Sequence, residues 1–158
     1  MAKTKRKAIK NYTTQVSVER TVGEIEQLLA KHGARRVLKD YDENGLSALS
    51  FMINYDGQFI PIRLPAKVDK VVSMLNEQVS KGSIPRKFRD DVEQARRIMW
   101  RILLDWVDSQ MTMVEIGQKE LLEIFLSDVC EINGTSTLYE KMIGTGFKGY
   151  LLEAPAKE

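Results

Sequence analysis

The stretch Asp90-Asp-Val-Glu-Gln-Ala-Arg-Arg-Ile-Met-Trp100-Arg-Ile-Leu-Leu-Asp-Trp-Val-Asp-Ser-Gln110-Met-Thr-Met-Val-Glu-Ile-Gly117 decides the architecture. Apolar or small residues recur in it three and four apart, at Val92, Ala95, Met99, Ile102, Trp106, Ser109, Met113 and Ile116. That spacing holds one helix face against a partner surface. A second stripe runs beside it through Trp100, Leu103, Leu104, Val107, Met111 and Val114, so the apolar arc is wide and carries both tryptophans. The reading predicts a single helix about 42 Å long. Asp90 and Asp91 favour its start through the helix dipole. It forms the spine of the molecule and brings no nucleophile.

Upstream of this spine the periodicity changes. Thr14, Val16 and Val18 alternate with polar neighbours and predict a short strand. Thr21-Val-Gly-Glu24 has the form of a capping box, opening a helix that buries Ile25, Leu28 and Leu29 and stops at Gly33. Arg35 to Tyr41 alternates again. Asp42-Glu-Asn-Gly45 is a hairpin turn of the asparagine–glycine kind. Leu49, Phe51, Ile53 and Tyr55 share one strand face, Asp56-Gly57 turns the chain, and Ile60, Ile62 and Leu64 mark the next strand. Pro61 lacks an N–H, which assigns that strand to an edge or a bulge. Val68, Val71, Val72, Leu75 and Val79 predict a second helix, ending near Gly82.

Downstream of the spine, Leu121, Leu122, Ile124, Phe125, Val129 and Ile132 predict a further helix, broken at Asn133-Gly134. Thr137-Leu-Tyr-Glu140 caps a short one ending near Gly144. Phe147, Tyr150, Leu151 and Leu152 are expected to dock on the body. The fold class is therefore α+β: a small antiparallel sheet of three to four strands with two helices, followed by a mostly helical C-terminal half built on the long helix. Residues 12–158 make a single domain with an α+β lobe (12–80) and a helical lobe (86–152), preceded by a basic flexible tail (1–11).

A chain of 158 residues with 43% hydrophobic and 29% charged residues fits such a domain. No apolar run is long enough for a membrane span, and no apolar segment follows the N-terminal charges as a secretory signal requires. One cysteine, Cys130, excludes an internal disulfide and fits a reducing cytoplasm. The net charge of +2 hides a segregation: residues 1–101 carry 20 Lys/Arg against 12 Asp/Glu, and residues 102–158 carry 4 against 10. Five of the cations (Lys3, Lys5, Arg6, Lys7 and Lys10) fall in the first ten residues.

The parts of common catalysis are missing. His32 is the only histidine and lies at the end of the first helix, where the dipole suits it. A zinc site needs several His/Cys ligands, and the chain owns one of each. Cys130 reads as a buried, inert thiol. Asp105 and Asp108, with Glu115 two turns on, and Glu120 with Glu123 on the next helix are carboxylate pairs that suit magnesium and phosphate oxygens; the alternative is a solvated acidic face with an Arg101–Asp105 ion pair. Gly144-Thr-Gly-Phe-Lys-Gly149 matches a dinucleotide-binding string, but no strand precedes it and no βαβ unit surrounds it, so these glycines read as loop formers.

Two positive clusters stand out. Lys31, Arg35, Arg36 and Lys39 gather at the first helix–strand junction. Lys81, Arg86, Lys87, Arg89, Arg96, Arg97 and Arg101 gather around the start of the spine. Sharing one face with the tail, they would make a groove for phosphates, with Tyr41, Tyr55, Phe59 and Phe88 available to stack on bases. The residues assigned to phosphate are Lys3, Lys5, Arg6, Lys7, Arg35, Arg36, Arg86, Lys87, Arg97 and Arg101. The alternative is neutralisation by Asp90, Asp91 and Glu93.

The order helix, three antiparallel strands, helix over residues 21–79 resembles the double-stranded-RNA-binding domain in topology. Lys67 and Lys70 only partly match that family's basic second helix, and no RNA-contact residue is carried over. Lys10-Asn-Tyr-Thr-Thr14, Lys31-His-Gly-Ala34, Ile62-Arg-Leu-Pro65, Glu93-Gln-Ala-Arg-Arg97, Trp100-Arg-Ile-Leu, Asp105-Trp106 and Thr137-Leu-Tyr-Glu140 resemble small uncharacterised bacteriophage and prophage proteins. That resemblance implies work on viral nucleic acid or the blocking of a host defence, in the host cytoplasm. The expectation is a non-enzymatic accessory protein that binds nucleic acid or a nucleotide without a cofactor. The alternatives are an inhibitor that binds a host protein directly, and a metal-dependent nuclease or phosphoesterase using Asp105, Asp108 and Glu115. No membrane partner is expected, and the long helix is a possible self-association surface.

Overall fold

Two hairpin turns organise the sheet. The computed structural model describes residues 8–131, 134 and 136–149. Strands β1 (Arg35–Asp42), β2 (Gly45–Tyr55) and β3 (Gln58–Pro65) pair antiparallel in the order β1-β2-β3. Asp42 pairs with Gly45 and Tyr55 with Gln58, so each loop has two residues. At the second, Asp56 and Gly57 both take positive φ, as this class of tight turn demands. At the first, the Asp42 carboxylate accepts the Asn44 N–H at 2.8 Å.

Gly45 has φ +125°, and a Cβ there would stand 3.1 Å from Arg96 Nη1. Side chains rarely enter that backbone region, and the guanidinium beside it is already anchored. Gly45→Ala is expected to cost about 1–3 kcal/mol in chemical denaturation.

Two bulges tune β1 against β2. Asp40 and Tyr41 face Ala48 and Leu46, so Ser47 is an extra residue in β2. This returns Leu46 to the core face that Leu49, Phe51 and Ile53 occupy. The second irregularity lies between Arg35 and Leu38, where Arg36 takes φ +54°.

Helix α1 (Val18–Lys31) precedes the sheet; α2 (Val68–Ser80) and α3 (Val92–Glu115) follow it. The α-β-β-β-α order expected for 21–79 is present, and both α1 and α2 pack against α3. One core joins α1 (Val22, Ile25, Leu29), the inner sheet face and the middle of α3 (Trp100, Leu104, Val107, Met111). A second joins α2 (Val71, Leu75, Val79), Ile84, Phe88 on a 3-10 turn (Arg86–Phe88), and Ala95 and Ile98 of α3. The long helix thus belongs to both. Its stripe through Trp100 is the buried one. The stripe through Trp106 is only partly covered: Val92 is 42%, Trp106 36% and Ile116 69% exposed.

Three expectations are corrected. The strand expected from Thr14 to Glu19 does not form. Instead Ser17 Oγ accepts the Arg20 N–H at 3.2 Å and starts α1 one turn before Thr21, which is buried inside the helix. Gln94 Nε2 donates to the Tyr12 and Thr14 carbonyls, both at 2.9 Å, which satisfies this segment without a sheet neighbour. The helix expected over 121–132 is broken. Only α4 (Leu121–Ile124) and a 3-10 turn (Leu126–Asp128) form. The chain then runs along β3: Cys130 N–H donates to the Pro61 carbonyl at 3.0 Å, and Val129 bridges Ile62. Pro61 thus lies on an edge strand, as its missing N–H requires. Phe125 is fully buried between Phe51 and Trp106, with ring centroids 5.1 and 5.7 Å away. Finally, the spine is shorter than expected, capped by Asp91 and running 24 residues.

The capping box at Thr137 and Glu140 opens α5 (Leu138–Gly144) as expected. Ile132, Asn133, Tyr150, Leu151 and Leu152 lie outside the described residues. Among the described residues, no helix is long and apolar enough to cross a membrane.

Candidate functional site

Helices α1 and α3 run side by side in the same direction. Glu24 meets Arg101 at 3.2 Å, and further along His32 Nε2 meets Glu115 at 2.8 Å. Their first turns therefore reach the same end of the molecule as the β1–β2 turn. A cleft of about 360 Å³ opens between them, lined by Ser17, Val18, Glu19 and Val22 of α1's first turns, Lys39 and Tyr41 of β1, Asn44, Gly45 and Leu46, and Glu93, Arg96 and Arg97 of α3.

Three cations meet there. Arg96 is 8% exposed and donates through Nη1 to the Leu46 carbonyl at 3.1 Å, with the Asp42 carboxylate 4.0 Å away. That bond fastens the hairpin to α3. Lys39 meets the Glu26 carboxylate at 2.8 Å. The hydrogen bond and charge of Glu26 outweigh partial burial and hold its ammonium above the usual lysine value. Arg97 differs from both. Its Nε and Nη2 donate to the amide oxygen of Gln94 at 2.9 and 2.7 Å. That partner is neutral, so the guanidinium is positioned and keeps its charge. Among the described residues it forms no ion pair. The first-turn N–H groups of α1 add positive potential at the same place, while Glu19 and Glu93 place carboxylates at the rim.

The expected phosphate residues fall in several places. Lys3, Lys5, Arg6 and Lys7 lie outside the described residues. Arg35 opens β1 and donates to the Ala34 carbonyl at 3.0 Å. Arg36 lies over the Phe59 ring, 5.1 Å from its centroid. Arg35 pairs with Met52, whereas the cleft touches Leu46, six residues and about 20 Å of extended chain away. Arg86 and Lys87 are exposed on the 3-10 turn, with the Lys87 ammonium 5.2 Å from the Phe88 ring centroid. Arg101 is bound to Glu24 rather than to Asp105. The structure does not bring Arg35 and Arg36 into one groove with Arg97. Of these residues only Arg97 lines the cleft, and Lys39, Arg96 and Tyr41 join it. One signal for Arg96 was present in sequence: it stands four residues before Trp100, on the buried stripe, where a cation must find a partner.

Asp105 is already engaged by the N-terminal segment. Its Oδ2 takes Lys10 Nζ and Asn11 Nδ2, each at 2.9 Å. Burial pushes the carboxyl up, but the hydrogen bonds and charge of Lys10, the Asn11 bond and the Arg101 charge outweigh it and hold the carboxyl below its ordinary value. These bonds fasten residues 8–14 to the helices, helped by Ile9 N–H to Gln78 Oε1 at 2.9 Å and an edge-to-face Tyr12–Phe88 pair. A depressed folded value means a stabilisation present above the unfolded carboxylate range and lost as pH falls through the folded one. Protection of the Ile9 and Tyr12 amides, taken relative to the intrinsic exchange rate at each pH, is therefore expected to fall below about pH 4, a step absent in Asp105→Asn. Among the described residues, no group of three or more His, Cys, Asp or Glu side chains is gathered to hold a metal ion. Burial pushes the half-buried Cys130 thiol up, away from the reactive thiolate.

No protein-family model matches this chain, and no curated protein or solved structure matches it.

Proposed function

We propose that this chain is a binding protein that takes a nucleotide, or one nucleotide unit of a nucleic acid, by its phosphate in the cleft between α1, the β1–β2 turn and α3. The observation that supports it is Arg97: a guanidinium fixed by a neutral amide, at the mouth of a concavity that also holds Lys39, Arg96 and a helix N-terminus. Pre-positioned guanidinium donors suit the paired oxygens of a phosphate. Tyr41, 69% exposed at the cleft, offers a face for a base. Glu19 and Glu93 accept hydrogen bonds from ribose hydroxyls or an exocyclic amine. This narrows the wide basic groove expected from sequence to one site, within the phage-type accessory role that the resemblance implies.

Calorimetric titration of the full chain with nucleoside mono-, di- and triphosphates, short oligonucleotides and inorganic phosphate tests it. Binding is expected at low salt, tighter for nucleotides than for phosphate alone, and weakening as salt rises. Absence of binding to every one of these at the lowest salt contradicts the reading.

A further inference from the structure

The segment before α1 crosses α3 and ends at the cleft. Ile9 and Tyr12 pack against the second core. Lys10 and Asn11 meet Asp105, and the Tyr12 and Thr14 carbonyls meet Gln94. Ser17, which lines the cleft, follows three residues on.

Gln94 is 7% exposed and uses every hydrogen-bonding position of its amide. Nε2 carries two N–H groups and gives one to each carbonyl. Oε1 has two lone pairs and takes Arg97 Nε and Nη2. A carbonyl can only accept and a guanidinium can only donate, so the amide fits one way round. Turned over, it would set its oxygen against two carbonyls and its nitrogen against a cation. The aim of Arg97 therefore depends on the two backbone carbonyls as well as on Gln94. A competing acceptor lies close by. Glu93 stands four residues before Arg97, in the order that favours an ion pair along a helix, and lines the same cleft.

We propose that residues 8–14 are a strap that regulates the cleft, with Gln94 as the positioning residue between strap and Arg97. With the strap in place, the Gln94 oxygen holds Arg97 toward the cleft and the guanidinium keeps its charge for a phosphate. With the strap displaced, nothing orients the amide, and Arg97 turns to Glu93 and is neutralised. Regulation of phosphate binding rests on the nucleotide reading, whereas the link from strap to guanidinium can be measured in the free chain. Asp105 anchors the strap eight residues from Arg97, about 12 Å along the helix, so the cleft can be controlled without touching it.

Three variants test this, with circular dichroism to confirm that each folds. Asp105→Lys repels Lys10, Tyr12→Ala removes the edge-to-face contact with Phe88, and Gln94→Leu deletes all four bonds. Nuclear magnetic resonance of the full chain follows the Arg97 Nε signal without ligand, and calorimetry follows adenosine diphosphate. The wild-type signal is expected to stand apart from those of free arginines and to exchange slowly. In all three variants it should move to the free position, and affinity should fall roughly tenfold. The added cation of Asp105→Lys would by itself favour a phosphate, so a fall there is not a field effect. Glu93→Gln should regain more affinity in Asp105→Lys than it adds in the wild type. An Arg97 signal unchanged in Gln94→Leu, or in strap variants whose Ile9 amide has lost protection, overturns the proposal. So does an Ile9 amide still protected in both strap variants, or wild-type affinity where the Arg97 signal has moved. A wild type that binds no nucleotide contradicts the reading of the cleft instead, and the Arg97 signal then decides the strap by itself.

Discussion

Trp100→Ala is expected to lower the stability of the fold by about 3–5 kcal/mol, the range for emptying a fully buried aromatic site. Trp100 is 1% exposed and joins α1, the sheet and the middle of α3 in a single core. Phe51 and Phe125 of that core already pack edge to face. The loss is about a fifth or more of what a domain of ordinary stability possesses. The indole Nε1 is buried and has no hydrogen-bond partner among the described residues. Trp100→Phe deletes that unsatisfied donor along with some volume, so its cost should be less than half that of alanine. Urea unfolding checks both: the midpoint should fall in the order wild type, phenylalanine, alanine, with the slope unchanged.

Arg97→Glu is expected to weaken nucleotide binding about 100-fold, near 3 kcal/mol. Two effects combine. A charge-assisted hydrogen bond of about 1.5–3 kcal/mol is lost, and a carboxylate joins Glu19 and Glu93 at the rim. The fold should be retained, since Gln94 still holds the Tyr12 and Thr14 carbonyls through Nε2. Arg101→Glu is the informative control. It sits one turn away but is already bound to Glu24, so it should change affinity by less than about threefold while removing a partly exposed ion pair of modest worth. Equal losses in the two variants would point to a diffuse field rather than a site.

The hairpins were legible because their turn residues carry their own geometry. Asp56 and Gly57 at the second turn, and Gly45 at the end of the first, supply positive φ where the chain reverses. The long helix was legible from its period, but the choice of buried stripe was not. Both stripes are apolar, and the difference comes from Arg96 and Trp100 being drawn under the hairpin and α1. The short alternation at Thr14–Glu19 failed because Ser17 is a stronger helix start than Thr21, and because Gln94 satisfies the segment from 82 residues away. The helical period at 121–132 failed because the open edge of β3 offers Cys130 the Pro61 carbonyl. Arg97 was singled out as a candidate phosphate ligand by type alone. Lys39, Arg96 and Tyr41 were named in the sequence too, but their convergence on Arg97 depends on α1 and α3 running in the same direction, which local patterns do not encode. Arg35 and Arg36 looked like part of the same surface only because no local signal shows that they sit at the far end of the sheet.

The most direct test of the central claim is a nuclear magnetic resonance titration of the full chain with adenosine diphosphate, following backbone amides and arginine Nε signals. The account predicts shifts concentrated at Ser17 to Glu19, at Asn44 to Leu46 and at the Arg97 side chain, with Arg35, Arg36 and Arg86 unmoved. Shifts confined to those last three arginines, or none at all at saturating nucleotide, would contradict it.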